Sequence, residues 1–138
     1  MNPLGAQFHH FGLAVRAPDQ ATACLSILGY TAGAMEYDPL QAVNVAMWHH
    51  AVMPDVEVIW PRERPSPIDG LIKSQDSAIY HLCFTVPDAN AAIASLEQAG
   101  MQVHTVVEPR PAILFGGRLV SFHLIGGFGL IELIHGDS

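Results

Sequence analysis

The sequence predicts an α+β fold in which one structural unit is used twice, and three observations carry the prediction. His10 and His81 stand 71 residues apart, and the same offset joins Val15 to Val86, Leu25 to Leu96 and Gly29 to Gly100. Further on, Val56-Glu57-Val58-Ile59 faces Ile131-Glu132-Leu133-Ile134 at an offset of 75. In each half, a stretch of strand-like alternation leads into a helix-forming stretch closed by glycine, and shorter β-like stretches follow. Self-similarity at a fixed offset marks a duplicated unit. Strands and helices in this mixed order predict helices packed on a mostly antiparallel sheet.

Each element has its own justification. Residues 8–15 (FHHFGLAV) alternate with the period of a strand: His10, Gly12 and Ala14 point one way, and His9, Phe11, Leu13 and Val15 the other. The first face is small and polar; the second is mostly bulky and apolar. Arg16-Ala17-Pro18-Asp19 reads as a turn, with Asp19 as the expected N-cap of a helix over 20–28 that ends at Gly29. Segments 43–50 and 55–60 are β-like. The second half repeats the scheme. IYHLCFTV (79–86) sets His81, Cys83 and Thr85 against Tyr80, Leu82, Phe84 and Val86. Pro87-Asp88 turns, ANAAIASLEQA forms a helix, Gly100 stops it, and 102–108, 118–125 and 129–135 are β-like. A proline-bearing connector (Pro61, Pro65, Pro67) separates the copies. Gly116-Gly117 and Gly126-Gly127 read as turns, because neither pair follows a strand and opens a helix as a phosphate-cradling loop must.

Composition narrows the function. The chain has 138 residues, half of them hydrophobic, which is ample for one compact domain or two small modules sharing a core. Six Lys and Arg against thirteen Asp and Glu give a net charge of -7, which disfavours nucleic acid as a partner. No apolar run approaches the ~20 residues of a membrane span, and the opening MNPLGAQFHH lacks the pattern of a secretory signal. The expectation is a cytoplasmic protein with no membrane partner. Cys24, in the first helix, and Cys83, in a strand, are then expected to be reduced thiols in or near the core.

Four residues carry the chemistry. Glu57 and Glu132 each interrupt an apolar β-type run, and a buried carboxylate must pair, protonate or bind a cation. A lone glutamate in such a run is more simply explained as facing solvent. Two at equivalent positions, matched by His10 and His81 on small-residue faces, point instead to a shared divalent metal ion. Imidazole and carboxylate suit Zn, Co, Ni, Mn or Fe, and leave its identity open. Four protein ligands leave two octahedral positions for water or a bidentate substrate, which fits Lewis-acid stabilisation of an enolate better than oxygen chemistry. His9, His49, His50, His104, His123 and His135 are read as surface, core or cavity-lining residues.

At these residues the chain resembles the vicinal oxygen chelate superfamily, which includes glyoxalase I, methylmalonyl-CoA epimerase, extradiol dioxygenases and the bleomycin and fosfomycin resistance proteins. HHFGLAV, VEVIWP, IYHLCFTVPD and GLIELI are similar to its four ligand strands. The resemblance implies paired βαβββ modules (about 7–61 and 78–136, joined by a connector of about 62–77, in one domain spanning 1–138). It implies a curved mixed sheet around a central cavity and His10, Glu57, His81 and Glu132 as metal ligands. SPIDGLIKSQDSAIYHLCFTV and FGGRLVSFHLIGGFGLIELI are most similar to methylmalonyl-CoA epimerases.

That likeness implies epimerisation or isomerisation by proton transfer through a metal-stabilised enolate, on a small substrate such as an acyl-CoA thioester, in a homodimer. Glu132 is the first candidate for moving the proton as well as holding metal, and Asp38 the second. The epimerases' second acid/base glutamate would fall just before Gln41-Ala42-Val43, where this chain reads Tyr37-Asp38-Pro39-Leu40. Arg62, Arg64, Lys73 and Arg118 are the candidate contacts for CoA phosphates. Two further readings share the fold. A glyoxalase I-like lactoylglutathione lyase would use the same ligands, although Leu13-Ala14 stands where that enzyme usually carries its glutathione-binding arginine. A metal-free drug-binding protein would hold an aromatic ligand against Trp48, Trp60 or Tyr80.

Overall fold

Strand alternation and helix signals resolve into eight strands and two α-helices among residues 2–136, which the computed structural model describes. Met1, Asp137 and Ser138, at the ends of the expected 1–138 span, lie outside the described residues. In chain order the elements are β1 (Gln7–Val15), α1 (Asp19–Ile27), β2 (Thr31–Asp38), β3 (Val43–His49), β4 (Asp55–Pro61), β5 (Ser77–Val86), α2 (Ala89–Gln98), β6 (Val103–Pro111), β7 (Leu119–Ile125) and β8 (Gly129–His135). A single 3₁₀ turn, Ile113–Phe115, precedes β7. The fold is α+β with mixed strand pairing, as expected.

Among the described residues the chain divides into two compact units, 10–80 and 2–9 with 81–136. In the first, the strands lie in the order β2-β3-β4-β1; β4 runs parallel to β1 and the other neighbours are antiparallel. In the second, the order is β5-β8-β7-β6, with β8 parallel to β5. The registers correspond as well. Gly12 pairs with Glu57 in one unit, and its counterpart Cys83 pairs with Glu132 in the other.

The helices end alike and begin differently. Gly29 and Gly100 both adopt φ 93, and the next N–H reaches back to the last turn, Tyr30 to Leu25 O at 2.9 Å and Met101 to Leu96 O at 3.0 Å. This is the Schellman closure, which needs a left-handed residue. Asp88 caps α2 by accepting from the Ala91 N–H at 3.0 Å. Asp19 does not cap α1: Pro18 already has helical dihedrals and takes the cap position, so Asp19 is the first helical residue. There its charge still faces the positive end of the helix.

Each helix covers an apolar cluster. Val15, Leu25, Ala46, Trp48, Val56 and Val58 form the first; Val86, Ala89, Ala92, Ile125, Ile131 and Leu133 form the second. The connector packs into the first unit through buried Ile68 and Ile72. Arg16 ties it down, donating to the carbonyls of Ile72 and Lys73 and pairing with Asp76 at 3.3 Å.

Three points differ from the reading of the residues. A strand after α1 is required by the implied βαβββ module, but the residues do not mark β2, because they are mostly exposed with no apolar face and a register shift interrupts the strand between Ala32 and Met35. The segment 43–50 ends one residue early, with His50 already in the following loop. Cys24 is exposed rather than near-core, while Cys83 is buried, and neither forms a disulfide.

Candidate metal centre

The side chains singled out by the repeat fall on the small-residue face of each unit. In the first, His10 lies on β1 with Gly12 and Ala14 along the same face, all of them buried. Gly12 is the register partner of Glu57, so the β4 carboxylate lies on that face too. Nε2 of His10 and Oε1 of Glu57 are 3.4 Å apart. In the second unit, Nε2 of His81 and Oε1 of Glu132 are 3.0 Å apart. The ring of Phe122, the register partner of Glu132, stands edge-on to His81 at 5.2 Å. All four residues are buried, His10 completely.

This donor set fits a divalent ion. Each of the four offers one ligand atom, an imidazole nitrogen or a carboxylate oxygen. Burying a carboxylate is expensive, and a neighbouring imidazole with a cation is a recognised way of offsetting the cost. Gly12 and Ala14 keep the surrounding face low, which leaves room for an ion and a chelating ligand.

Asp38 ends β2 and clamps its own turn. Oδ1 accepts from the N–H of Leu40 at 2.9 Å and of Gln41 at 3.3 Å, and Oδ2 accepts from the Gln41 amide at 3.1 Å. Its register partner is Val43, four residues along β3 from the partner of Glu57. Four residues of strand are about 13 Å.

The remaining histidines separate into distinct roles. His9 packs its ring against Phe115 at 5.2 Å. His50 accepts from the N–H groups of Val52 and Met53 at Nδ1, so its Nε2–H donates to Leu28 O and holds the end of α1. His123 is buried between the hydroxyls of Thr105 and Ser121, and Ser121 also reaches His135 at 2.8 Å. Burial, with the nearby His135 adding to it and Glu108 opposing, holds the His123 imidazole below its ordinary pKa. Burial lowers His135 as well. His104 is exposed. His49, exposed at the end of β3, lies 2.9 Å from the Asp55 carboxylate.

The candidate phosphate contacts are partly committed. Arg62 lies over the Tyr37 ring at 4.3 Å, Arg64 pairs with Asp69 at 2.9 Å, and Arg118 donates to the carbonyls of His135 and Gly136. Trp48 and Trp60 pack into the cluster beneath α1 rather than onto the His10 face. Sequence reasoning missed the Arg16 tie and the His49–Asp55 pair, because neither shows before the strand register is known.

Paired strand–helix–strand units with buried His–Glu pairs at equivalent positions define a class of chelating folds. Residues 9–122 match the Glyoxalase/Bleomycin resistance protein/Dioxygenase superfamily, and the chain belongs to that superfamily. It is 31% identical over 104 residues to the ethylmalonyl-CoA/methylmalonyl-CoA epimerase of Cereibacter sphaeroides, which is 71% of this chain and 75% of that one. Its fold is similar to the crystal structure of methylmalonyl-CoA epimerase from Mycobacterium tuberculosis, with a TM-score of 0.79 at 20% identity over 100% of this chain and 93% of that one. A Streptomyces coelicolor methylmalonyl-CoA epimerase variant in complex with 2-nitronate-propionyl-CoA gives 0.74 at 19% identity over 96% of this chain and 98% of that one.

Proposed function

We propose that the protein is a metal-dependent epimerase that inverts the acidic α-carbon of a methylmalonyl-CoA-type thioester. The observation that carries this is the equivalence of two buried His–Glu pairs, His10–Glu57 and His81–Glu132, on strands of matching register. The 31% identical relative supports the substrate class. His10, Glu57, His81 and Glu132 together would hold one divalent ion. When bound, that ion supplies Lewis acidity to a chelating pair of substrate oxygens and makes the carbon between them easier to deprotonate.

The protein side of the reaction is proton transfer. Inversion at carbon requires removal of a proton from one face and return of a proton to the other, so two carriers are needed. Glu132 is assigned one of these roles. Its burial, with Phe122 on the neighbouring rung, keeps water from competing for the proton. Asp38 is the other carboxylate that the sequence nominates; both its oxygens accept hydrogen bonds within its own turn. The reading includes a homodimer.

Elemental analysis of protein purified without chelators, combined with NMR of methylmalonyl-CoA in deuterium oxide, tests the reading. The expected result is about one divalent ion per chain and deuterium entering the α-position of both epimers. Glu132→Gln is expected to lose metal, exchange or both. A metal-free protein that exchanges nothing would overturn the proposal. Turnover of the methylglyoxal–glutathione adduct in place of exchange would assign the metal to a lyase.

A further inference from the structure

We propose that His49, oriented by Asp55, is the second proton carrier of this site. The proposal rests on the epimerase reading and adds the residue which that reading lacks. Its ground is the β3–β4 ladder. Met47 pairs with Glu57 and Trp48 with Val56, so the next rung sets His49 opposite Asp55, where the two side chains meet at 2.9 Å. Alternation places Asp55 on the same face of β4 as Glu57, two residues along, and His49 on the same face of β3 as Met47. Asp55 is also the register partner of His10. The pair therefore borders the first half of the candidate metal centre on its own face, with His49 diagonal to Glu57 at a Cβ separation of about 7 Å.

The hydrogen bond fixes what His49 can do. Asp55 Oδ2 stands 2.9 Å from Nδ1, and in the tautomer that donates this hydrogen bond the ring presents its Nε2 lone pair away from Asp55. A base held in one tautomer by a carboxylate is the arrangement that general-base histidines use. The imidazole is more than half exposed, open to a substrate and to water. The other acids on this face are less well placed. Glu36 pairs with Val45 on the exposed strand β2, a further strand away from Glu57. Both Asp38 oxygens hold its turn, about 13 Å along the ladder.

In the step assigned to it, the α-carbon C–H bond breaks and an Nε2–H bond forms, with the electron pair moving into the thioester carbonyl. A carboxyl O–H, the role given to Glu132, then breaks as a new C–H bond forms on the other face. The imidazolium returns its proton to water and the carboxylate regains one. Run in reverse, the two carriers exchange parts.

The test is solvent-deuterium incorporation into each methylmalonyl-CoA epimer separately, with wild type, His49→Ala, Asp55→Asn, Glu36→Gln and Asp38→Asn. Loss of one carrier stops inversion but leaves exchange on the face served by the other, a signature that a merely structural residue does not produce. His49→Ala is expected to lower kcat for inversion about 10²–10³-fold, leave KM and metal content unchanged, retain one-sided exchange and recover part of its activity with added imidazole. Asp55→Asn is expected to lower kcat at least about tenfold in the same one-sided way. Two-sided exchange in His49→Ala, or one-sided exchange in Glu36→Gln or Asp38→Asn instead, overturns the role of His49 and leaves the epimerase reading standing. Absence of exchange by the wild type removes both.

Discussion

Glu57 and Glu132 sit in strands whose neighbouring residues are apolar, each with a histidine nitrogen within 3.4 Å. Removing one partner of a buried polar pair typically costs about 1–3 kcal/mol, because the other is left unsatisfied. Glu57→Gln removes the charge but keeps the shape. It is expected to reduce bound metal while far-UV circular dichroism stays unchanged; full metal occupancy in that variant would remove Glu57 from the ligand set. His123 gives a separate residue-scale expectation. Its pKa in the fold lies below the ordinary 6.5, so between the two values the unfolded chain binds more protons. Its contribution to stability is therefore present above about pH 6.5 and is lost as pH falls through the folded value. Thermal melts from pH 8 to pH 5 should show a steeper fall for wild type than for His123→Gln, and parallel curves would refute the point.

Among the elements, the two helices offer a controlled comparison. Asp88 makes a cap bond to Ala91 and Asp19 makes none. Asp88→Ala is expected to cost about 1 kcal/mol in urea unfolding, and Asp19→Ala no more than about 0.5 kcal/mol. Equal costs would mean that helix-end charge, not the cap bond, dominates. β2 is fixed to β3 by a close approach at Gly33, where a Cβ would meet the Met47 carbonyl oxygen at 2.5 Å. Since that oxygen is backbone, it cannot swing away. Gly33→Ala is expected to destabilise the protein by about 1–3 kcal/mol, and to disturb β2 first in hydrogen exchange.

For the whole molecule, the matching registers of β1–β4 and β5–β8 show that each unit builds its ladder from its own backbone and apolar cluster. Secondary structure is therefore expected to persist without metal. Removing it with a chelator is expected to lower Tm without loss of far-UV signal, since a ligand at 100 times its Kd stabilises the native state by about 2.7 kcal/mol. Unfolding on chelation would show instead that the ion is part of the fold. The proposed homodimer is checked by light scattering, with a mass near twice 14.9 kDa expected. Among the described residues, no helix is long and apolar enough to cross a membrane.

The sequence by itself determined the duplication, the two helices with their glycine stops, and the equivalence of His10 with His81 and of Glu57 with Glu132. These follow from local periodicity and from spacing, which survive in a one-dimensional record. Local pattern did not mark β2, whose exposed residues carry no periodic apolar face, nor the capping by Pro18, which depends on dihedrals rather than on residue type. Tertiary structure alone decided which histidine meets which carboxylate. Register is a property of two strands at once, so His49 acquires Asp55 and His123 acquires Thr105 only when the ladders close.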